Sequence, residues 1–178
     1  MAVALRCEGG RGRPYAARLR ADARRLMAVL GVAGCELSVV IAADDFVRAL
    51  NREFRGKDRA TDVLSFSQLE EAPSETAHPR RPPAAGAELG DVVISVDTAR
   101  RQARCLGVAS TARMRTLLVH GLLHLLGYDH ERSPAEARRM FARERELAAA
   151  LPRIRSRARA GVKPRPRCAK PRPRSERK

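Results

Sequence analysis

Aromatic residues and long apolar runs are scarce in this sequence. Phe, Trp and Tyr make up 3% of its 178 residues, and Trp is absent. This scarcity argues against a nucleic-acid-binding protein that stacks bases on rows of aromatic side chains. No run of about 18 apolar residues occurs, which excludes a membrane-spanning helix. The 4 cysteines include no CxxC pair, so a cysteine-based zinc site is not indicated.

Acidic residues are also in deficit. Lys and Arg number 36 against 20 Asp and Glu, which gives a net charge of +16. Residues 152–178 alone hold twelve of these bases and a single acid, Glu176. A basic domain with a strongly basic tail is typical of proteins that bind a polyanion such as nucleic acid. A solvated tail in an arginine-rich protein would give the same balance, so the charge alone leaves both interpretations open.

Apolar periodicity predicts strands and helices that follow one another along residues 1–151. Short β-branched or apolar runs predict four strands, at 1–7, Glu36–Ala42, Val63–Ser67 and 90–95. Helical spacing predicts five helices, which begin at Pro14, at an Asp44 cap, at Asp97, at Ser110 and at a Ser133 capping box. This order predicts an α+β fold, a mixed sheet of about four strands packed by about five helices.

Two segments differ in composition from the rest of the chain. Residues 70–87 contain four prolines and few large apolar side chains, which predicts a long loop within the domain. Residues 152–178 alternate Arg with Pro and show no apolar periodicity, which predicts a disordered basic tail. We therefore expect one domain over residues 1–151, followed by the tail at 152–178.

Three of the 4 histidines lie within eleven residues, in the stretch HGLLHLLGYDH. His120 and His124 are four apart, so on a helix both imidazoles share a face and reach one ion. Gly127 suits the left-handed conformation that ends a helix, and the resulting turn would bring His130 back toward the same point. Three imidazoles leave the fourth position of a tetrahedral zinc open, as in catalytic sites. The sequence therefore predicts one zinc ion per chain, on the penultimate helix and the following turn.

This spacing matches the metzincin peptidase signature HExxHxxGxxH at every position but one. Gly121 stands where that signature has its general base, and glycine cannot accept a proton. Peptide hydrolysis by the usual route is therefore disfavoured, although the metal site itself is kept. A single buried histidine is more often a hydrogen-bonded core residue, but three at this spacing favour a metal.

The histidine motif is accompanied by four further stretches: LN at 50–51, FRGKD at 54–58, TDVLSF at 61–66 and LGD at 89–91. Together they resemble the YbeY family over roughly residues 3–150. The resemblance implies a zinc-dependent, single-strand-specific endoribonuclease that acts in ribosomal RNA maturation in the cytoplasm. It implies RNA as the partner, in particular ribosomal RNA and the small ribosomal subunit. The basic tail and the proline-rich loop lie outside the family pattern.

The resemblance also implies roles for individual residues. His120, His124 and His130 fall on the family's zinc ligands, and Arg55 falls on its functionally important arginine, expected in catalysis or RNA binding. Without the resemblance, Arg55 is interpreted as a surface charge or a helix-end residue. TDVLSF is interpreted mainly as a core strand, and Asp91 and Asp129 as either partners of a zinc ligand or turn residues.

Three functions remain open from the residues and the resemblance together. An endoribonuclease is favoured, with zinc as Lewis acid or activator of water and Arg55 offsetting the charge that develops on phosphorus. Attack by water and attack by the RNA's own 2′-hydroxyl both fit, since no carboxylate is an evident general base. A metal peptidase and a non-enzymatic ribosome-assembly factor are the alternatives.

Overall fold

The computed structural model describes residues 2–69 and 83–154. These residues form four strands: β1 (Ala2–Cys7), β2 (Glu36–Ala42), β3 (Val63–Ser67) and β4 (Glu88–Ser95). They also form five α-helices: α1 (Arg13–Val29), α2 (Asp44–Arg55), α3 (Val96–Leu106), α4 (Ser110–Leu125) and α5 (Pro134–Ala150). The prediction of an α+β fold with about four strands and five helices is confirmed. None of the helices within these residues is long and apolar enough to cross a membrane.

The strands form one mixed sheet in the order β1-β2-β4-β3. Strands β1, β2 and β4 are parallel, whereas β3 runs antiparallel to β4 at the edge. The central strands β2 and β4 are buried on both faces, which explains their nearly continuous β-branched and apolar sequence.

Alternate residues of the strands face two layers of helices. On one face, the main core joins Leu26 of α1, Ile41 of β2 and Leu118 and Leu122 of α4. On the other face, Val40 and Val93 pack with Val47 of α2 in a smaller cluster. Helix α4 lies in the main layer and contacts α1, α3, α5, β3 and β4. Buried nearly all round, it is a rigid support for the histidines it carries.

The start of α5 follows its sequence signal, whereas the start of α2 does not. The Ser133 hydroxyl accepts the Glu136 amide at the start of α5, as the capping box predicts. The prediction that Asp44 caps α2 is wrong, because Ala43 is the N-cap and Asp44 is the first helical residue. The Asp44 carboxylate instead accepts hydrogen bonds from Ser95, Thr98 and Arg101, and so ties α2 to the start of α3.

A buried ion pair fixes the end of the described chain. Arg115 of α4 donates to both carboxylate oxygens of Asp22 on α1, at 2.9 and 3.1 Å. Its remaining terminal nitrogen donates to the carbonyl of Pro152 at 2.7 Å.

Most of the predicted loop at 70–87 and of the predicted tail at 152–178 lies outside the described residues.

Candidate metal centre

Helix α4 presents His120 and His124 on one face, one turn apart. Their Nε2 atoms are 3.1 Å from each other, and their rings meet edge to face with centroids 4.6 Å apart. The neighbouring leucines Leu122, Leu123 and Leu125 are buried in the core and hold this face of the helix in place. Two ring nitrogens therefore converge on one point, as the spacing predicts.

The turn after α4 brings the third histidine to the same point. Gly127 adopts φ 86°, and the amides of Gly127 and Tyr128 donate to the carbonyls of His124 and Leu123. This paired bond pattern is the Schellman motif, which needs a residue with positive φ after the helix. The His130 ring then lies 5.1 and 5.2 Å, centroid to centroid, from those of His120 and His124. One ligand atom from each histidine lies within 4.8 Å of the others, so the predicted grouping is confirmed.

A carboxylate on α5 orients the first histidine. The Nδ1–H of His120 donates to Oε1 of Glu144 across 2.6 Å, which leaves Nε2 as the nitrogen that faces the other two rings. A carboxylate behind a ligating imidazole fixes the tautomer and raises its basicity. Sequence reasoning missed Glu144, which lies 24 residues beyond His120. No local pattern in the sequence indicates that α5 packs against α4.

The His124 ring is held in its neutral form. Burial, followed by the charges of His120 and His130, lowers the pKa of His124 to about 4. At neutral pH its ring nitrogen therefore keeps a free lone pair. A neutral imidazole is the form that binds a divalent metal.

Three imidazoles with one nitrogen each, gathered at the end of a buried helix, fit a zinc ion. Zinc prefers nitrogen and sulfur ligands, and three protein ligands leave one position for water or substrate. The Glu144 carboxylate supplies the supporting hydrogen bond that such sites usually carry. The three-histidine group and its surroundings could therefore hold a metal ion.

Arg55 is the last residue of α2, the helix that packs on the face of the sheet away from α4. It is exposed, and its positive charge is the smallest of the influences that lower the pKa of His124. The loop that follows is pinned by two bonds of Arg48 to Asp58, at 2.8 and 2.7 Å, and by Asn51, which donates to the carbonyl of Arg59. These bonds fix the course of the chain directly after Arg55, whose own side chain is exposed.

The TDVLSF segment fixes β3 against α4. Ser65 and Ser67 donate to the carbonyls of Gly121 and Leu125, each at 3.2 Å. At the start of the strand, Asp62 accepts from Gln102 and Arg113. Although burial opposes it, these bonds and the charge of Arg113 lower the pKa of Asp62. The segment positions α4, which agrees with a mainly structural role, although β3 is the edge strand and only its Leu64 is buried.

Asp91 and Asp129, whose roles the sequence left open, lie in different parts of the structure. Asp91 stands opposite Phe66 in β3 and shares the sheet face of Val93, which is the side away from α4. Asp129 belongs to the turn between the ligands, where it accepts the Glu131 amide at 2.8 Å and pairs with Arg132. Asp91 therefore does not meet the histidines, and Asp129 shapes the turn that carries His130.

Gly121 faces the sheet rather than the histidines. A Cβ atom placed there would lie 2.7 Å from Cγ1 of Val92 and 3.1 Å from the Ser65 hydroxyl oxygen. A glutamate at this position would have to displace β3 or β4. Position 121 therefore supplies no general base, and its glycine allows helix and sheet to approach closely.

Replacing Gly121 by Ala is expected to lower the free energy of unfolding by about 1–2 kcal/mol. The new methyl group overpacks against the fully buried Val92, at a cost that exceeds the helix-propensity gain of about 1 kcal/mol. Denaturant unfolding measures the change. Thr116→Ala, at an exposed position of the same helix, is the matched control and should change stability by less than about 0.5 kcal/mol. Equal or higher stability of Gly121→Ala would show that the sheet yields to the methyl group.

Comparisons with known proteins agree with this geometry. The family described as Endoribonuclease YbeY matches residues 16–152. Endoribonuclease YbeY of Anaeromyxobacter sp. is 53% identical over 150 residues, which cover 84% of this chain and 72% of that protein. Endoribonuclease YbeY of Geobacter metallireducens is 50% identical over 137 residues, which cover 76% of this chain and 86% of that protein.

A solved structure resembles the fold. The solution structure of TM1509 from Thermotoga maritima superposes with a TM-score of 0.58 at 23% identity, covering 83% of this chain and 87% of that one. This likeness concerns the architecture alone. The family match over most of the chain and the identity of about half to its curated members show that this chain belongs to the YbeY family.

Proposed function

We propose that the protein is a zinc-dependent, single-strand-specific endoribonuclease that acts in ribosomal RNA maturation in the cytoplasm. The convergence of His120, His124 and His130 within 4.8 Å is the observation that carries this proposal. The relatives named Endoribonuclease YbeY support RNA as the substrate and phosphodiester cleavage as the reaction. We propose ribosomal RNA and the small ribosomal subunit as partners because the sequence motifs resemble those of the YbeY family.

The three histidines would hold one zinc ion, and Glu144 would hold His120 in the tautomer that the ion needs. Bound there, zinc supplies Lewis acidity toward a phosphoryl oxygen and lowers the pKa of water. The low pKa of His124 keeps that ligand free of a competing proton throughout the neutral range.

Arg55 would act on the phosphate itself. Its guanidinium stays charged at any physiological pH and offers planar, paired donors that match phosphate oxygens. It would stabilise the negative charge that grows on the oxygens around phosphorus as the bond breaks. Water and the 2′-hydroxyl are both compatible with this arrangement as the attacking group.

Cleavage assays with the zinc-loaded protein test the proposal. We expect cuts in an unpaired RNA, little or no cutting of the same sequence in a duplex, and none of casein. Casein cleavage would favour a metal peptidase. RNA binding without any cleavage would favour the ribosome-assembly factor and contradict the enzymatic proposal.

Replacing Glu144 by Gln is expected to weaken zinc affinity about 10–100-fold, as loss of a carboxylate behind a ligating histidine usually does. The amide oxygen still accepts from His120 but carries no charge. Competition with a chromogenic chelator measures the affinity. The matched control is Glu146→Gln on the same helix, where the exposed carboxylate pairs only with Arg143 among the described residues, and its zinc affinity should stay unchanged. Equal affinities for both variants would mean that Glu144 does not support the site.

We further propose that the catalytic domain spans residues 1–151 and that the basic segment 152–178 adds contacts to RNA phosphates. Deleting residues 155–178 removes eleven bases and keeps the Pro152 carbonyl that Arg115 binds. If half a dozen of those bases touch phosphates, the slope of log affinity against log salt should become shallower by roughly 4, at about 0.7 per contact. Zinc content and the rate of cleavage at saturating RNA should not change. Equal salt slopes for both proteins would show a tail without RNA contacts.

A further inference from the structure

Helix α5 carries an exposed row of one aromatic and two basic side chains beside the histidines. Arg138, Phe141 and Arg145 are three and four residues apart, so they lie along one side of the helix. All three are exposed, and Phe141 keeps 47% of its surface open to solvent. We name this row the α5 stripe.

The buried and histidine-facing residues of α5 fix where the stripe lies. Met140 and Leu147 are buried in the main core, and Glu144 reaches His120. The Phe141 ring lies almost parallel to the ring of His130, at an angle of 21° and a centroid distance of 5.9 Å. The stripe therefore borders the metal centre directly, with its aromatic ring against one of the ligands.

Within the described residues, the two arginines of the stripe pair with no carboxylate. Elsewhere on α5, Arg139 pairs with Glu136 and Arg143 with Glu146. Among residues 2–69 and 83–154, Arg138 and Arg145 have no ion-pair partner. Arg138 and Arg145 are seven positions apart, which is about 10 Å along the helix axis. Two uncompensated cations thus flank one exposed aromatic ring, a chemistry that suits a single nucleic-acid strand.

We propose that the α5 stripe binds the unpaired strand of the RNA substrate next to the phosphate that is cut. Phe141 stacks on one unpaired base, and Arg138 and Arg145 contact phosphates on either side of it. This inference rests on the proposed endoribonuclease function and specifies how that site selects single strands. A base inside a duplex is already stacked and paired, so its face is not available to Phe141. One aromatic side chain is enough for this task, which agrees with a sequence that has few of them.

Binding measurements separate the stacking by Phe141 from the phosphate contacts of the two arginines. Fluorescence anisotropy of a labelled single-stranded RNA of about ten nucleotides, read immediately after mixing with zinc-loaded protein, gives the affinity at several salt concentrations. Phe141→Leu should lower the affinity about tenfold and leave the salt slope unchanged, because stacking involves no counterion release. The double variant Arg138→Gln, Arg145→Gln should instead make the salt slope shallower by about 1.4, at roughly 0.7 per lost contact.

An abasic scan locates the stacked base. In a set of RNAs with one abasic nucleotide each, the wild type should lose about tenfold affinity at one position near the cut. Phe141→Leu should show no further loss at that position, and Phe141→Tyr should restore the wild-type pattern. The matched control combines Arg104→Gln with Leu106→Ala, an exposed pair on α3 near the other end of α4, and should behave as the wild type.

Each result decides the proposal. A position-specific abasic effect that Phe141→Leu removes, with zinc content intact, supports it. Unchanged RNA affinity in both stripe variants, or an equal loss in the α3 control, overturns it. Loss of zinc from both Phe141→Leu and Phe141→Tyr would assign Phe141 to holding His130 and overturn it as well. A wild type that cleaves RNA without these signatures refutes the stripe alone, whereas one that shows them without cleaving refutes only the endoribonuclease.

Discussion

Replacing His124 by Ala is expected to slow cleavage of single-stranded RNA at least about a thousandfold, since a bound metal contributes several kcal/mol to charge stabilisation. The Nε2 atom of His124 lies 3.1 Å from that of His120, at the point where the three rings converge. Two remaining imidazoles are too few for a stable zinc site. Steady-state cleavage rates at equal protein and zinc concentrations measure the effect.

The same variant tests whether the metal centre is needed for cleavage but not for folding or RNA binding. Alanine is a strong helix former and α4 is held by its buried leucines, so the protein should stay folded. RNA affinity should therefore stay within a few-fold of the wild type while cleavage is lost. A folded His124→Ala protein that still cleaves RNA at the wild-type rate would contradict the assignment of the site.

Replacing Arg55 by Ala is expected to reduce cleavage about 10²–10³-fold, the usual cost of removing one group that stabilises transition-state charge. Zinc content and stability should not change, because Arg55 is exposed and a guanidinium is not a zinc ligand. Arg55→Lys should restore the rate only in part, since an ammonium lacks the paired donors of the guanidinium.

Measuring kcat and KM separately for the Arg55→Ala variant distinguishes a role in turnover from a role in binding. A transition-state role lowers kcat and kcat/KM together, whereas a contact that only binds substrate raises KM. Arg104→Ala removes an exposed arginine from α3 and is the matched control for a general loss of positive charge. Wild-type kinetics in Arg55→Ala would show that this arginine is an ordinary surface charge.

Local patterns were sufficient where the determinants are local. The bounds of β2 and β3 follow from their β-branched and apolar runs, and the structure has both as expected. The group of three histidines also follows from local rules, since helical spacing joins two of them and the positive φ of Gly127 returns the third.

The remaining features of the site depend on tertiary packing. Glu144 meets His120 only because α5 packs on α4, and Phe141 meets His130 for the same reason. The Asp44 carboxylate binds away from its own helix because Ser95 at the end of β4 and Thr98 and Arg101 of α3 approach it. The spacing of residues along the sequence does not indicate contacts between separate elements, so these partners could not be predicted.

Zinc content tests the central claim, a metal held by three histidines, most directly. Elemental analysis of the purified protein should find about one zinc per chain, and a folded His120→Ala, His124→Ala double variant should have lost it. Because the described part of the chain offers no other group of three His, Cys, Asp or Glu residues suited to a metal, no second site should retain the ion. Full retention of zinc by the folded double variant would contradict the metal centre.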